Sequence, residues 1–256
     1  MSNSKVTCIC ITYNRLELLK QAILFFEYQT YRNRDLIILF QSNDIETLKY
    51  IQQQKQYQFV TLEWRNSSAG SNYECKKERE VESSVLFVQV PIEQSLSLGA
   101  KRNIGVELAS GEFVCMWDDD DWYPEDRIEN QLNFMSFSGK KACTLASILL
   151  HNKASGQFYL TGIRAEGWEG TLLAEKAVMG WYNDLNKRED TPVIHHLQKN
   201  NHLCIMEEPD LYVYNAHQNN VSGDGHFEFI INYAKPADLN DYPKYKEYLS
   251  TLTSDH

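Results

Sequence analysis

The order of apolar runs along the first 137 residues constrains the fold more than any other feature of this chain. Val6–Ile11, Asp35–Phe40, Val85–Val90 and Phe113–Trp117 are short and rich in β-branched or aromatic residues, which is how buried strands read. Between them, apolar residues recur at helical spacing: Leu16, Leu19, Ile23 and Phe26, then the segments Ile45–Gln54 and Leu98–Ala109. A further helix opens near Pro124 and runs to about Phe137. Asn14 with Glu17 reads as a capping box for the first helix, and Gly111 lies near the stop of the third. Strands alternating with helices require crossover connections, and these produce a mainly parallel sheet covered by helices. Ligands of such sheets bind beyond the carboxyl ends of the strands. Thr12–Arg15 and Asp118–Asp121 both fall at such ends.

The rest of the chain has a different texture. Phe59–Glu63 predicts a short strand, and the polar stretch Asn66–Ser84 predicts an excursion or loop. Ala142–Leu150, Gln157–Leu160 and Tyr212–Tyr214 predict strands, Asn152–Gly156 a hairpin turn and Thr191–Asn200 a helix. No repeat and no linker rich in Pro, Gly or Ser divides the chain. The expected organisation is one α/β domain over 1–229, with halves 1–137 and 138–229. A helical tail over 230–256 carries Tyr233, Tyr242, Tyr245, Tyr248 and Leu249.

The formal net charge of −10 argues against nucleic acid, whose phosphate backbone needs clustered Lys and Arg. It is compatible with one phosphorylated small molecule, because a divalent cation neutralises a diphosphate locally. The six cysteines show no C-x-x-C spacing, so reduced thiols in a cytoplasmic protein are expected. Met1–Lys5 leads straight into the first strand with no leader pattern, and no apolar run nears membrane-spanning length. A soluble protein, able to visit the inner face of the membrane, is the expectation.

Four consecutive aspartates, Asp118 to Asp121, follow a buried strand. Like charges so close repel one another. A hard divalent cation relieves the repulsion by taking one or two carboxylates together with substrate phosphates. In an extended segment, Asp118 and Asp120 would face one side and Asp119 and Asp121 the other. A solvated acidic turn, or carboxylates beside a helix N-terminus, also explains acidity, but not the flanking Trp117 and Trp122-Tyr123.

Three groups of residues stand in register: Ser97-Leu98-Gly99-Ala100-Lys101-Arg102-Asn103-Ile104-Gly105, Ala109-Ser110-Gly111-Glu112-Phe113, and Trp117 through Asp121. With Thr12-Tyr13-Asn14-Arg15 after the first strand, the succession resembles glycosyltransferase family 2 over roughly the first 135 residues. The resemblance implies a GT-A fold: a Rossmann-like, mainly parallel central sheet flanked by helices, with a smaller mixed sheet on the acceptor side. It implies sugar transfer from a UDP- or GDP-sugar, or another nucleoside-diphosphate sugar, to a glycan or lipid-linked acceptor, with Mn2+ or Mg2+ as cofactor. Asp120 and Asp118 match the metal-binding acidic motif, and Asp118 and Asp119 are also candidate nucleotide-sugar contacts. Thr12, Tyr13, Arg15 and Arg102 match positions near the nucleotide, although Arg102 also reads as a surface cation near Glu107. Around the second strand the family pattern is acidic, whereas this chain has Leu39-Phe40-Gln41-Ser42-Asn43-Asp44. Gln41, Ser42 and Asp44 are the candidate base contacts there, an amide being able both to donate and to accept.

Inverting transfer needs a carboxylate to take the acceptor's hydroxyl proton. Glu189-Asp190 resembles the family's E-D motif, which makes Asp190 the candidate base and Glu189 its neighbour. Acidic residues before a helix also have an ordinary electrostatic reason to be there. His217 follows a late strand, where some GT-A enzymes place a third metal ligand. Gln218–Gly223 is turn-like and could close over a diphosphate. Trp168 and Trp181 are candidate acceptor contacts through stacking on sugars, or else core residues. A nucleotidyltransferase uses a related sheet and acidic ligands, but Thr12–Arg15 stands where its glycine-rich loop belongs. A catalytically degenerate GT-A binding module is the non-enzymatic alternative, with the Gln41 departure in its favour.

Overall fold

The computed structural model describes residues 4–64, 73–217 and 224–254. In the first half the elements are β1 (Val6–Thr12), α1 (Leu16–Glu27), β2 (Arg34–Gln41), α2 (Ile45–Gln53), β3 (Gln58–Trp64) and β4 (Tyr73–Arg79), then β5 (Val85–Val90), α3 (Leu98–Leu108), β6 (Phe113–Met116) and α4 (Arg127–Ser138). In the second half they are β7 (Ala142–Leu145), β8 (Leu149–Asn152), β9 (Gln157–Leu160), β10 (Trp168–Glu175), α5 (Thr191–Lys199) and β11 (Leu203–Met206), then β12 (Val213–Ala216), α6 (Asp224–Tyr233), β13 (Lys235–Pro236) and α7 (Pro243–Ser254).

Among the described residues, nine strands form one sheet in the order β11-β7-β10-β6-β1-β2-β5-β3-β4. The centre, β6-β1-β2-β5-β3, is parallel throughout. Its strands are apolar on both faces, as a sheet covered on both sides demands. Val6, Cys8, Leu36, Ile38 and Phe87 pack on one side, and Ile9, Ile37, Leu39 and Val88 on the other. A four-stranded mixed sheet has the order β12-β8-β9-β13. The expected large parallel sheet and smaller mixed sheet are thus both present.

Several local expectations are corrected. Asn14 does not cap α1: it adopts a left-handed φ of 52°, and the helix starts after Arg15 with no side-chain cap. Gly111 lies near the end of α3, as expected, but its need for glycine is steric. A Cβ there would lie 2.6 Å from the Lys5 carbonyl oxygen and 2.8 Å from the Thr7 nitrogen, so the residue is glycine because two backbones nearly touch. Within 66–84, expected as loop, residues 73–79 form β4, an edge strand paired antiparallel with β3. Its outward Lys76 and Lys77 suit an exposed edge. Ala142–Leu150 is two strands in different sheets, not one. At the break, Thr171 Oγ1 accepts from the Leu145 N–H and Thr161 Oγ1 from the Ile148 N–H, satisfying backbone groups that a continuous ladder would pair.

β10 and β11 have no counterpart in the sequence reading. β10 inserts antiparallel between β6 and β7, which carries the second half of the chain onto the main sheet. The boundary drawn at 229 falls inside α6. In the tail, α7 buries Tyr245 completely, its ring centroid 4.9 Å from that of Trp122. No helix among the described residues is long and apolar enough to cross a membrane.

Candidate active site

The carboxyl ends of β1 and β6 open into a cleft of about 1270 Å³. Thr12, Tyr13 and Arg15 line it from the end of β1, Asp118–Asp121 from the end of β6, and Lys101 and Arg102 from α3. Residues 186–191, which lead into α5, form another wall. From the second half come Ile163, Trp168, Tyr212, Phe229 and Tyr233.

The acidic run is a turn held by aromatic anchors. Trp117, Trp122 and Tyr123 are buried. The Trp117 indole donates to the Ala22 carbonyl, and its ring packs 4.0 Å from Tyr123. Each carboxylate then takes its own partners, so the expected two-by-two alternation is replaced. Asp118 Oδ1 meets Arg102 Nη2 at 3.3 Å. Asp119 accepts from the Thr12 hydroxyl at 2.6 Å and from Arg15 Nη1 at 3.0 Å. The same Arg15 nitrogen reaches Asp120 Oδ2 at 2.7 Å. Asp121 accepts from the Tyr212 hydroxyl and from the Asn215 backbone N–H. Asn215 Nδ2 also donates to the Asp120 carbonyl.

Crowding shows in the acidities. Burial, and then the neighbouring Asp120, push Asp119 up to about 7 against the pull of Arg15 and Thr12. Burial likewise raises Asp118, opposed by Arg102, and raises Asp121 further. Below the turn, the wholly buried Arg127 sits 4.6 Å from the Tyr123 ring and 5.5 Å from that of Tyr212. Such contacts stabilise a desolvated cation.

Arg102 is not a surface cation near Glu107. It is buried, and its Nε donates to Glu189 Oε1 at 3.1 Å while Nη2 meets Asp118. One guanidinium thus links the acidic run to Glu189-Asp190. Burial raises the pKa of Glu189 despite Arg102. Asp190 precedes α5 but makes no cap hydrogen bond and lines the cleft.

The glycines beside Arg102 make this join possible. A Cβ on Gly99 would lie 1.8 Å from the Asn183 carbonyl oxygen, and one on Gly105 would lie 2.5 Å from Ile9 Cγ2. Gly99 lets the 183–189 segment lie on α3, and Gly105 lets α3 lie on β1. Asn103 fixes the same segment by a reciprocal pair with the Tyr182 backbone.

The segment after β2 is placed differently from the motif positions above. Gln41, Ser42 and Asp44 are absent from the residues lining the cleft. Asp44 is fully buried. It caps α2 through the Thr47 N–H and accepts from the Asn14 N–H at 2.8 Å, so it positions the Thr12–Arg15 turn from behind. Ser42 Oγ accepts from the Ile92 N–H. Tyr13 is partly exposed at the cleft, its hydroxyl accepting from Asn43.

His217 Nε2 lies 3.3 Å from Asp120 Oδ2. Among the described residues no three His, Cys, Asp or Glu side chains form a metal cage. A Mg2+-like ion does not need one, since it keeps most ligand positions for phosphate oxygens and water. The oxygen donors of Asp118 and Asp120, with an imidazole at hand, fit that donor set. The Gln218–Gly223 turn lies outside the described residues. Trp168 lines the cleft with the Arg164 guanidinium 4.8 Å over its ring. Trp181 is 71% exposed and does not line the cleft. The sequence reading missed Tyr212 and Asn215, because nothing local marks a strand residue as a partner for a carboxylate some 90 positions earlier.

Residues 88–203 match the family model described as glycosyl transferase family 2. The chain is 24% identical over 157 residues to glycosyltransferase GlyA of Streptococcus pneumoniae, a match covering 61% of this chain and 18% of GlyA. It is 29% identical over 135 residues to an uncharacterised glycosyltransferase of Haemophilus influenzae, covering 53% of this chain and 44% of the relative. This chain therefore spans less than half the length of either. In fold it is similar to S. aureus TarS solved with UDP-GlcNAc, with a TM-score of 0.61 at 13% identity over 86% of this chain and 61% of that one. It is also similar to the mannosyltransferase PcManGT of Pyrobaculum calidifontis, solved with GDP-Man and Mn2+, with a TM-score of 0.56 at 14% identity over 84% and 57% of the two chains. The family match takes in the strand, the acidic run and the Glu189-Asp190 pair that share this cleft, so residues 88–203 are similar to glycosyltransferase family 2, and the fold is GT-A-like.

Proposed function

We propose that this chain transfers a sugar from a nucleoside-diphosphate sugar to a glycan or lipid-linked acceptor, with inversion and with Mn2+ or Mg2+ bound. The observation that supports the reading is Arg102, which ties Asp118 to Glu189, so that the residues proposed for the cation and those proposed for the base are joined by one guanidinium.

Tyr13 and Arg15 line the nucleotide end, where the exposed phenol ring offers a face for a base. Asp118 and Asp120 would hold the cation, with His217 beside Asp120. When bound, that ion would offset charge developing on the diphosphate leaving group. Arg15, which pairs with Asp120 here, would exchange that partner for a phosphate oxygen. The Asp190 carboxylate accepts the proton of the acceptor hydroxyl. The acceptor oxygen forms its bond to the anomeric carbon as the bond from that carbon to the diphosphate breaks, and attack from the opposite face inverts the centre. Glu189, fixed by Arg102, orients the start of α5 behind Asp190. Gln41, the residue expected to contact the base, lies off the cleft.

The test is Asp190→Asn, assayed with a panel of nucleotide sugars. UDP or GDP affinity should stay unchanged while transfer falls by about 10²–10⁴-fold, the range for losing a general base. Undiminished turnover would move the base to another residue.

A further inference from the structure

Each arginine of the cleft that faces an acid is already committed. Arg15 serves Asp119 and Asp120, Arg102 serves Asp118 and Glu189, and Arg164 serves Glu169. Two further cations line the same cleft without such a partner. Neither the Lys101 ammonium nor the Arg188 guanidinium has a hydrogen bond or ion pair among the described residues. Lys101 is half-buried, and desolvation lowers its pKa with no anion to offset the cost. A desolvated cation without a counterion is unfavourable until an anion arrives.

Position strengthens the case. Lys101 precedes Arg102 and Arg188 precedes Glu189 in the chain, and both cations line the cleft that holds the Arg102–Glu189 ion pair. Their elements are also stitched together. The Gly99 N–H donates to the Leu185 carbonyl, the Leu98 N–H to Asn186 Oδ1, and the Ser97 hydroxyl to Asp184 Oδ1. Arg188 has a left-handed φ of 58°, a conformation uncommon for any residue but glycine and one that persists only where the surroundings hold it. The following residue is Glu189, whose carbonyl accepts from the Asn183 N–H. The backbone is thus bent at the residue that carries the free guanidinium, two positions before the proposed base.

We propose that Lys101 and Arg188 form an anion-binding subsite for a phosphate or carboxylate group on the acceptor, seated beside Asp190. The substrate class that follows is an anionic acceptor rather than a neutral glycan. This rests on the reading of Asp190 as the acceptor-side base. The donor diphosphate is the other source of the same chemistry, and the acidic run with its cation already provides for it.

The experiment titrates inorganic phosphate into the protein saturated with UDP or GDP and Mg2+, followed by calorimetry. Phosphate should still bind, and Lys101→Ala and Arg188→Ala should each weaken it by about tenfold, equivalent to about 1.4 kcal/mol. Nucleotide affinity should stay within about twofold, and Lys101→Arg should restore phosphate binding. Melting curves confirm that each variant is folded. The proposal is overturned if nucleotide displaces phosphate, or if the variants lose nucleotide as they lose phosphate, since the cations then serve the donor. Equal phosphate binding by wild type and variants, or none by wild type, overturns it as well. Failure of the nucleotide to bind at all contradicts the transferase reading instead, and the phosphate titration without nucleotide still reads the cation pair.

Discussion

The two sheets handle buried polar groups in opposite ways. At the end of the large sheet, Asp118–Asp121 crowd together, and burial and mutual repulsion raise the pKa values of Asp118, Asp119 and Asp121. In the small sheet and α7 the buried network carries no acid: it consists of His151, Tyr245 and Asn215, with the Lys153 ammonium at its edge. His151 Nδ1 lies 2.7 Å from the Tyr245 hydroxyl, which donates to Asn215 Oδ1 at 3.2 Å. Desolvation, helped by Lys153, pushes His151 down to about 4. Asn215 then reaches across, holding Asp121 by its backbone N–H and the Asp120 carbonyl by its side chain. The contrast separates two jobs. A satisfied acid-free network fixes geometry, whereas a crowded acidic turn stores an unfavourable charge that a cation can relieve. The rigid region braces the reactive one.

Asp120→Ala breaks the comparison most sharply. Mn2+-dependent affinity for UDP or GDP should fall by at least ~100-fold, about 2.7 kcal/mol, while the melting temperature without metal holds or rises because a repelling charge has gone. A fall in both would show that the acidic turn is as structural as the small sheet.

Gly99→Ala acts on the join between the two halves. The new Cβ must displace the Asn183 carbonyl, so stability should drop by about 1–3 kcal/mol, as for overpacking elsewhere, measured by urea denaturation. Transfer should fall more than nucleotide affinity, because the displaced segment leads to Asp190 and not to Tyr13.

The acid-free network can be read by pH. Folded His151 takes its proton only near pH 4, well below its ordinary 6.5. Between those values the unfolded chain binds a proton that the folded chain refuses. The contribution is therefore complete above pH 6.5 and is lost as pH falls toward 4. His151→Gln should flatten the decline in melting temperature over that window relative to wild type, and an unchanged slope would remove His151 from the account. Smallest is Asp44→Ala, which should cost about 1 kcal/mol, as for loss of a helix cap. Its nucleotide affinity should fall slightly, through a loosened Asn14 turn; a loss as large as that of Asp120→Ala would return Asp44 to the nucleotide.

The charged end was legible in the sequence because its logic is local. Thr12–Arg15, Gly99–Gly105 and Asp118–Asp121 each follow or open a regular element, and the alternation of strand and helix puts them at one edge. The Gly99 and Gly105 positions now have a steric reason that spacing alone does not reveal. The bracing end was opaque because its logic is non-local. Ala142–Leu150 is uniformly apolar, so nothing marks the break where it changes sheets, and the threonines that satisfy that break come from 161 and 171. β10 owes its place to β6 and β7, strands distant in sequence. Asp44 looked like a base contact because its neighbours fit a pattern, but its carboxylate is used up by two backbone N–H groups and the Thr47 hydroxyl. Trp181 carried no signal beyond its aromaticity, and it lies away from the cleft.

The most direct test is a crystal grown with UDP or GDP and Mn2+, with data collected for the manganese anomalous signal. The account predicts one strong peak in contact with an Asp120 carboxylate oxygen and with the diphosphate, and Arg15 turned away from Asp120. A nucleotide bound elsewhere, or a peak remote from Asp118 and Asp120 with the Arg15–Asp120 ion pair intact, contradicts it.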